Sequence, residues 1–370
     1  MNRSTQLVVT LTARNLAEAR GELEEVVRAG ADLVEVRLDR WEDAERRRVR
    51  ELLPSPIPLL LTVRSRAEGG DGPDDPRDRE MLRRSVADPD WAALDLEAAR
   101  DPLPSTGAVA GSTRVWVSTH LVHGATGADL ERELRRPFPP GAVRKIVVPA
   151  TLSAGLNGVF ARAQEAARSG ITLLTTGPAG PLERAWAPRL GIPFVFASPP
   201  ERPPGRADRR VEPAQLPVDR LRPFYAADPP APLFAVLGRP IDHSWSPWIH
   251  HHWWEKESRT GLYLALEPDS PAEFAGLLPR LAEGGFRGVN VTAPYKLTAP
   301  EAATHIERSA ETVGSANTLT FRGSEVRADN TDLTAVRRRL DELRATDAWG
   351  GSAWASSAPG GAGPIGRGGR

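Results

Sequence analysis

The sequence predicts an α/β protein in which a (β/α)8 TIM barrel is followed by a smaller α/β domain. From residue 7 to about residue 225, short apolar runs alternate with amphipathic helical stretches. Eight such runs occur, which is the strand number of a (β/α)8 barrel. A second strand pattern begins after a proline-rich segment at residues 226–232. The competing architecture for the first part is a doubly wound open sheet, which rarely contains eight such units.

The strands, helices and linkers follow from the apolar pattern and from the Gly and Pro positions. The eight predicted strands cover residues 7–12, 33–39, 58–64, 91–97, 114–120, 145–150, 171–177 and 194–198. Predicted helices include residues 16–29, 127–136 and 154–169, and polar surface loops are predicted at residues 66–80 and 199–210. We place the barrel at residues 1–225, a stiff linker at 226–232 and the second domain at 233–345, and we expect a disordered tail at 346–370.

Composition narrows the class of protein. The formal net charge is zero, so charge indicates neither a nucleic-acid partner nor an anionic membrane. No apolar run has the length of a membrane span, and the N-terminus lacks the apolar core of a signal peptide. The chain has no cysteine, which suits a cytoplasmic location. We therefore expect small-molecule partners without nucleic acid or membrane, with a homodimer as the candidate assembly.

The sixth predicted strand contains a lysine, Lys145, at the start of the apolar run 146–148. The chain has 48 Lys and Arg residues, of which only Lys145, Lys256 and Lys296 are lysine. A buried lysine can lose its proton and act as a nucleophilic amine, whereas arginine cannot. Lys145 is thus a candidate nucleophile. The alternative is a strand-end lysine whose amine reaches solvent.

Several polar side chains end or follow the predicted barrel strands, where the catalytic groups of such barrels lie. They are Glu35, Arg37, Arg64, His120, Lys145 and Arg184. The set fits a pocket for a small anionic, polyhydroxylated substrate, because two arginines can hold a carboxylate in bidentate fashion. The alternative for His120 is a core histidine at a strand end.

Four sequence blocks in this region occur in a fixed order. They are Val34-Glu35-Val36-Arg37-Leu38-Asp39, Thr62-Val63-Arg64 with Glu68-Gly69-Gly70, Ser118-Thr119-His120, and Arg144-Lys145-Ile146. Together they resemble type I 3-dehydroquinate dehydratase over residues 5–225. The resemblance implies a cofactor-free lyase that converts 3-dehydroquinate to 3-dehydroshikimate. It implies that Lys145 forms an imine with the substrate, His120 moves the proton and Glu68 orients His120. It assigns substrate binding to Glu35, Arg37, Arg64, Arg184 and Gln215.

The chain departs from that family's pattern at three places. Leu121-Val122 follow the histidine, where an acidic or aromatic pair is usual. Val211 and Ala214 stand where the late loop has a hydroxyl and a glycine, and Glu183 stands where a serine is typical. We expect these changes to affect loop closure and affinity more than the imine chemistry.

Four blocks follow the linker. They are Arg239-Pro240-Ile241-Asp242-His243-Ser244-Trp245-Ser246-Pro247, Gly288-Val289-Asn290-Val291-Thr292-Ala293-Pro294-Tyr295-Lys296, Gly314-Ser315-Ala316-Asn317-Thr318-Leu319 and Asp329-Asn330-Thr331-Asp332. These blocks resemble the substrate domain of shikimate dehydrogenase over residues 233–343. The resemblance implies that Ser244 and Ser246 hold a carboxylate, that Thr292 and Asn317 bind hydroxyls, and that Lys296 and Asp332 form the catalytic pair. His250-His251-His252 invites a metal site. Consecutive residues point in different directions on a helix, however, so we expect an ordinary helix start and no metal.

The shikimate dehydrogenase family also needs a dinucleotide-binding half, with a strand, a glycine-rich turn and a helix. The residues after Asp332 contain glycines without such flanking elements. We therefore expect NADP to bind only where the dehydrogenase site is completed. Three functions stay open: the lyase alone, a bifunctional enzyme that also reduces 3-dehydroshikimate to shikimate with NADPH, and a non-enzymatic ligand-binding sensor or scaffold.

Overall fold

The structure, a computed structural model, describes residues 5–109, 113–122, 126–203 and 209–345. Over these ranges the predicted fold class is confirmed: a nearly closed parallel barrel precedes a second α/β domain. The predicted tail at residues 346–370 lies outside the described residues. Among the helices that the structure describes, none combines the length and apolarity that crossing a membrane requires.

All eight predicted barrel strands are present, with ends that differ by a few residues. In chain order the strands are β1 (Gln6–Thr10), β2 (Leu33–Arg37), β3 (Leu59–Thr62), β4 (Ala93–Glu97), the short β5 (Ala108–Val109), β6 (Thr113–His120), β7 (Val143–Pro149), β8 (Ile171–Thr176) and β9 (Phe194–Ala197). The order around the barrel is β8-β7-β6-β4-β3-β2-β1-β9, all parallel, while β5 pairs antiparallel with β6. Both faces of such strands are covered, which explains their continuous apolar runs.

Helices cover the outside of the barrel. They are α1 (Leu16–Arg28), α2 (Pro76–Ser85), α3 (Gly127–Arg135), α4 (Leu152–Ala154), α5 (Phe160–Arg168), α6 (Gly180–Leu190) and α7 (Val218–Ala226). A π-helical turn at Gly155–Val159 joins α4 to α5.

The predicted polar loop at residues 66–80 is wrong in its last part, where α2 begins. Asp75 accepts a hydrogen bond from the Arg77 backbone N–H at 2.8 Å, and Pro76 occupies the first helical turn, so both favour a helix start. Arg79 and Arg83 are buried and pair with Asp101. α2 is held to the barrel by charged side chains rather than apolar ones, so a search for apolar periodicity does not detect this helix.

The strand register places the candidate residues on the inner face of the barrel. It pairs Arg37 with Thr62, Thr62 with Asp95, Glu97 with Ser118, Ser118 with Lys145, and His120 with Val147. Register partners point to the same face of a sheet, and every second residue shares that face. Arg144 therefore points outward, where its guanidinium lies 3.0 Å from the Glu133 carboxylate of α3.

The second domain contains one mixed sheet. Its elements are β10 (Leu233–Leu237), α8 (Ser246–Lys256), β11 (Leu262–Leu266), α9 (Pro271–Glu283), β12 (Phe286–Val291), β13 (His305–Ile306), α10 (Arg308–Val313), β14 (Thr318–Arg322), β15 (Glu325–Asp329) and α11 (Thr331–Ala345). The strand order is β11-β10-β12-β14-β15-β13. Because β14 runs antiparallel to β12 and β15, its first residue Thr318 lies opposite both Asn290 and Asp329. The ends of β12 and β15 thus meet the start of β14 at one sheet edge.

The two domains share a continuous apolar core. Trp186 of α6 donates its indole N–H to the Gly284 carbonyl at 3.0 Å, and its ring packs edge-on against Phe160 and Phe286. α7 ends at Ala226 and β10 begins at Leu233. The domain limits drawn from the sequence stay a prediction.

Candidate active site

A cavity of about 380 Å³ lies at the carboxyl ends of the barrel strands, a size that fits a small molecule. The structure brings all the barrel residues proposed from the sequence to its wall. They are Glu35, Arg37, Arg64, Glu68, His120, Lys145, Arg184 and Gln215. Parallel strands deliver their C-terminal ends to one rim, which explains why residues far apart in sequence meet here.

Lys145 is buried in the cavity wall, with a side chain that is 2% exposed. Its Nζ lies 3.3 Å from Asp95 Oδ2 and 4.4 Å from the centre of the Phe196 ring. Burial lowers the pKa of Lys145, and the neighbouring Arg64 cation lowers it further against the opposing effect of Asp95. A neutral, nucleophilic amine is therefore easier to reach than for a lysine in water.

Asp95, the carboxylate beside Lys145, is a residue that sequence reasoning missed. Its Oδ1 accepts hydrogen bonds from Arg64 Nη2 and from Ser118 Oγ, each at 2.6 Å. Burial opposes ionisation of Asp95, but Arg64 and Lys145 outweigh it and hold its pKa below the ordinary value. A signal was available, because Asp95 and Glu97 are carboxylates on alternate positions of a predicted buried strand.

His120 and Glu68 form a hydrogen-bonded pair. Glu68 Oε2 accepts the His120 backbone N–H at 2.9 Å and lies 3.1 Å from Nδ1 of the ring. Burial, followed by the charges of Arg64 and Lys145, lowers the pKa of His120 well below its ordinary value. Burial raises the pKa of Glu68 to about 7. When Nδ1–H donates to Glu68, Nε2 carries the lone pair of a neutral base. His123, a second candidate base three residues further along, lies outside the described residues.

Arg64 joins three carboxylates beneath the cavity. Its guanidinium lies 2.6 Å from Asp95, 3.1 Å from Glu68 and 3.4 Å from Glu97. These contacts outweigh burial and raise the pKa of Arg64. A substrate carboxylate at Arg64 would thus share a guanidinium that already binds protein carboxylates.

The other two cavity arginines are also held by protein groups. Arg37 lies 2.7 Å from Asp39, and Arg184 donates to the carbonyls of Phe196 at 2.9 Å and Thr175 at 3.1 Å. The arginines therefore form a fixed positive wall whose orientation is set before any ligand binds.

Glu35 and Gln215 differ in how many of their polar atoms form hydrogen bonds within the protein. Glu35 accepts hydrogen bonds from the hydroxyls of Thr10 and Thr62, both at 2.8 Å. Gln215 Nε2 approaches Thr10 Oγ1 at 3.5 Å, while its buried Oε1 has no hydrogen-bond partner among the described residues. Since buried acceptors are normally satisfied, Gln215 is suited to receive a ligand hydroxyl.

A second polar cluster lies at the sheet edge of the second domain. Lys296 Nζ contacts Asp332 Oδ2 at 2.8 Å, and both side chains are exposed. Asn317 is buried, and its Oδ1 accepts the backbone N–H of Thr331 at 3.0 Å. Asn317 is tied to Lys296 through its neighbour Ala316, whose N–H donates to the Lys296 carbonyl at 2.9 Å.

The remaining predicted ligands of this domain lie near the same edge. Ser244 Oγ accepts the Ser246 N–H at 3.3 Å, and the Ser246 side chain hydrogen-bonds the Tyr263 hydroxyl, which contacts Asn290 at 2.7 Å. Thr292 follows β12 and packs closely on the backbone of Gly238, where an added Cβ would lie 2.3 Å from its methyl. Ser244 also lines a cavity of about 390 Å³ between the two domains.

The three consecutive histidines make separate contacts. His251 Nε2 accepts the Tyr263 N–H at 3.0 Å, and the His250 ring stacks on Tyr263 at 4.2 Å. His252 stacks on Trp248 at 5.0 Å. In the part of the chain that the structure describes, no group of three metal-ligating side chains occurs.

Comparison with protein families assigns the first domain. Residues 7–229 match the model of type I 3-dehydroquinase. The chain belongs to this family. Residues 236–319 match the model of the shikimate dehydrogenase substrate binding domain.

Relatives of two kinds are similar to this chain. A bifunctional 3-dehydroquinate dehydratase/shikimate dehydrogenase of Arabidopsis thaliana is 26% identical over 303 residues, which cover 80% of this chain and 49% of the relative. A shikimate dehydrogenase (NADP(+)) of Roseobacter denitrificans is 43% identical over 102 residues, covering 27% and 36%. The chain thus spans from about a third to half of the length of these curated relatives.

A solved structure is similar over most of the chain. Dehydroquinate dehydratase and shikimate dehydrogenase from S. pombe matches with a TM-score of 0.43 at 20% identity, covering 92% of this chain and 67% of the other.

The described residues of the second domain do not fit a nicotinamide dinucleotide. Such a cofactor needs a glycine-rich turn between a strand and a helix. Here β15 leads directly into α11, and residues 324–345 contain no glycine. The polar side chains of the described second domain suit a small polar ligand rather than a dinucleotide.

Proposed function

We propose that this protein removes water from 3-dehydroquinate to give 3-dehydroshikimate, through an imine on Lys145. One observation supports this above all: a buried lysine amine of lowered pKa shares a cavity with a hydrogen-bonded histidine–carboxylate pair. An imine-forming lysine needs a neutral amine to attack, and the following proton transfer needs a base beside it.

The chemistry follows from these groups. The Lys145 amine adds to the substrate ketone and loses water to form a protonated imine. Nε2 of His120 takes the proton from the adjacent carbon, and the electron pair moves into the imine to give an enamine. The enamine then expels the neighbouring hydroxyl, which leaves as water with the proton from His120. Hydrolysis of the imine releases the product and restores the amine.

Two carboxylates support these steps. Asp95, 3.3 Å from Lys145 Nζ, is placed to stabilise the positive charge of the protonated imine. Glu68 holds the His120 ring in the tautomer that exposes the Nε2 lone pair. We further propose that Gln215 binds a substrate hydroxyl and that Arg37, Arg64, Arg184 and Glu35 define the polar wall around the substrate.

A second function is favoured by the exposed Lys296–Asp332 pair. We propose that residues 233–345 bind a shikimate-like ring, with its carboxylate at Ser244 and Ser246 and hydroxyls at Thr292 and Asn317. Oxidation or reduction with NADP would require a nucleotide-binding segment beyond the described residues. Calorimetric titration with shikimate tests this binding: Asn317→Ala should abolish the heat, and unchanged binding would refute the assignment.

Borohydride trapping tests the first proposal. Incubation with 3-dehydroquinate and borohydride, followed by peptide mass spectrometry, should place the reduced adduct on Lys145. Label on Lys256 or Lys296, or no label, would refute it. Lys145→Arg should keep the fold and lose turnover, because arginine cannot form the imine. Turnover by the unaltered chain would exclude a sensor or scaffold that only binds ligands. The cytoplasmic location stays a prediction.

A further inference from the structure

Helix α8 exposes a stripe of large apolar side chains. Trp245 is 60% exposed, and Ile249 and Trp253 are each 51% exposed. They are spaced four residues apart, at the N-cap and within the helix, so they follow one face. Trp248 and His252, stacked on each other at 5.0 Å, extend the same face. We call these five residues the α8 stripe.

The opposite face of α8 already packs inside the domain. His251 is buried and hydrogen-bonds β11, while the Trp254 ring lies 5.5 Å from that of Phe234. The helix is therefore apolar on both sides, the pattern of a helix that is buried all round. An exposed apolar stripe of this kind marks a protein-binding surface.

The α8 stripe is symmetric about its centre. Trp245 lies four residues before Ile249, and Trp253 lies four residues after it. We propose that α8 pairs antiparallel with α8 of a second copy of this chain, around a two-fold axis beside Ile249. In that arrangement Ile249 meets its own copy and Trp245 of each chain meets Trp253 of the other. A two-fold interface requires such self-complementarity.

Opposite charges lie beyond the two ends of the stripe. Asp242 lies in the turn that precedes α8, Lys256 is the last residue of α8, and both are exposed. Antiparallel pairing brings Asp242 of each copy towards Lys256 of the other, and parallel pairing would bring like charges together.

The other acids at the C-terminal end of α8 are already neutralised within the chain. Glu255 pairs with Arg220 of the barrel, and Glu257 lies 3.3 Å from Arg259. At the other end of the helix, His243 lies 3.6 Å from Asp242. Lys256 is exposed at this end of α8 and makes no ion pair among the described residues, so its charge can meet a second copy.

Disulfide trapping tests the geometry directly, because the chain contains no cysteine. Ile249→Cys places one thiol at the proposed axis, and mild oxidation should convert most of the protein to a covalent dimer within minutes. Val336→Cys on α11, a position that is 56% exposed, is the matched control and should form no covalent dimer. Equal cross-linking of both variants, or of neither, would overturn the proposal.

Sedimentation of the full chain supplies the second test. The unaltered chain should sediment as a dimer, and Ile249→Arg as a monomer with unchanged dehydratase turnover. Asp242→Lys and Lys256→Asp should each weaken dimerisation about tenfold, whereas the double variant should restore it. A monomeric unaltered chain would overturn the proposal, as would a double variant no tighter than the single ones.

Discussion

At the scale of single residues, two buried carboxylates, Glu68 and Asp95, determine the charge around the barrel cavity. Glu68 and Asp95 both contact Arg64, yet burial raises the pKa of Glu68 to about 7 while Asp95 stays ionised. The difference arises because Asp95 lies between two cations, whereas Glu68 also faces the charge of Glu97. One carboxylate is therefore placed to stabilise charge and the other to change protonation near neutral pH.

Glu68→Gln should change the pH dependence of the dehydratase. In the unaltered protein, Glu68 takes up a proton as the pH falls through about 7, stops accepting from Nδ1–H, and His120 loses its productive tautomer. We expect kcat/KM to fall with that protonation. The variant has no carboxyl to titrate, so the acidic limb of its kcat/KM–pH profile should disappear. The plateau value of kcat/KM should drop roughly 10²–10⁴-fold. Asp71→Asn, at the same cavity, is the control and should keep the limb. An unaltered limb in Glu68→Gln would contradict the assignment.

His120→Ala should separate imine formation from proton transfer. Lys145 is held by Asp95 and Phe196 rather than by His120, so borohydride should still trap the substrate. Turnover should fall roughly 10²–10⁴-fold, the usual loss for a positioned acid–base group. Turnover close to that of the unaltered protein would assign the base to another residue.

The site residues at the ends of strands could be predicted from the sequence. The residues that contact them from other segments of the chain could not. Glu35, His120 and Lys145 interrupt or end apolar runs, and parallel topology then places them on one rim. Asp95 was missed because its role depends on which carboxylate reaches the lysine amine, a distance that alternation does not fix. The same holds for Arg64, whose partners come from other segments of the chain.

At the scale of elements, side chains of α6 reach three parts of the molecule: the cavity, the second domain and the buried interior of the barrel domain. Arg184 lines the cavity, Trp186 contacts the second domain, and Glu183 is fully buried with Oε2 accepting the Thr175 N–H at 2.7 Å. Burial raises the pKa of Glu183 to about 7. The folded state therefore binds this proton more tightly than the unfolded chain does. Ionising the buried Glu183 carboxyl therefore lowers the free energy of unfolding. This loss is absent below the ordinary carboxyl pKa and reaches its full size as the pH rises through about 7.

Glu183→Gln should accordingly stabilise the protein more at pH 8 than at pH 5. The amide oxygen can still accept from Thr175, while the buried charge is removed. Since one pKa unit equals about 1.4 kcal/mol, we expect a gain of roughly 1–3 kcal/mol at pH 8. Thermal unfolding at both pH values is the measurement, with the exposed Glu165→Gln of α5 as control. Equal shifts at the two pH values would show that Glu183 is not the titrating group.

Elements were predictable where apolar periodicity forms them. α1 and α3 begin at the predicted residues, while α2 was missed because Arg79 and Arg83 attach it through Asp101. A buried ion pair leaves the same sequence signature as a solvated charge, so periodicity cannot distinguish them.

At the scale of the whole molecule, the proline-rich linker suggests two separable bodies, yet the structure joins them through a packed contact. Trp186 lies against Gly284 and Phe286, and Arg189 donates to the Glu283 carbonyl at 2.8 Å. No sequence pattern marks this contact, because it pairs one tryptophan with a glycine about a hundred residues away. The glycine is required by space: an added Cβ would lie 2.0 Å from the Trp186 ring.

Gly284→Ala should therefore loosen the two domains without touching the dehydratase cavity. Its methyl must displace the Trp186 indole, a strain of roughly 1–3 kcal/mol. We expect faster proteolysis within residues 226–232 and two separated unfolding transitions in calorimetry, with kcat and KM for 3-dehydroquinate unchanged. Gly276→Ala on α9 is the matched control, because a Cβ there meets nothing within 4 Å. That control should be neutral or slightly stabilising, since alanine is the better helix former. If Gly284→Ala unfolds in one transition at the unaltered temperature, Trp186 does not hold the domains together.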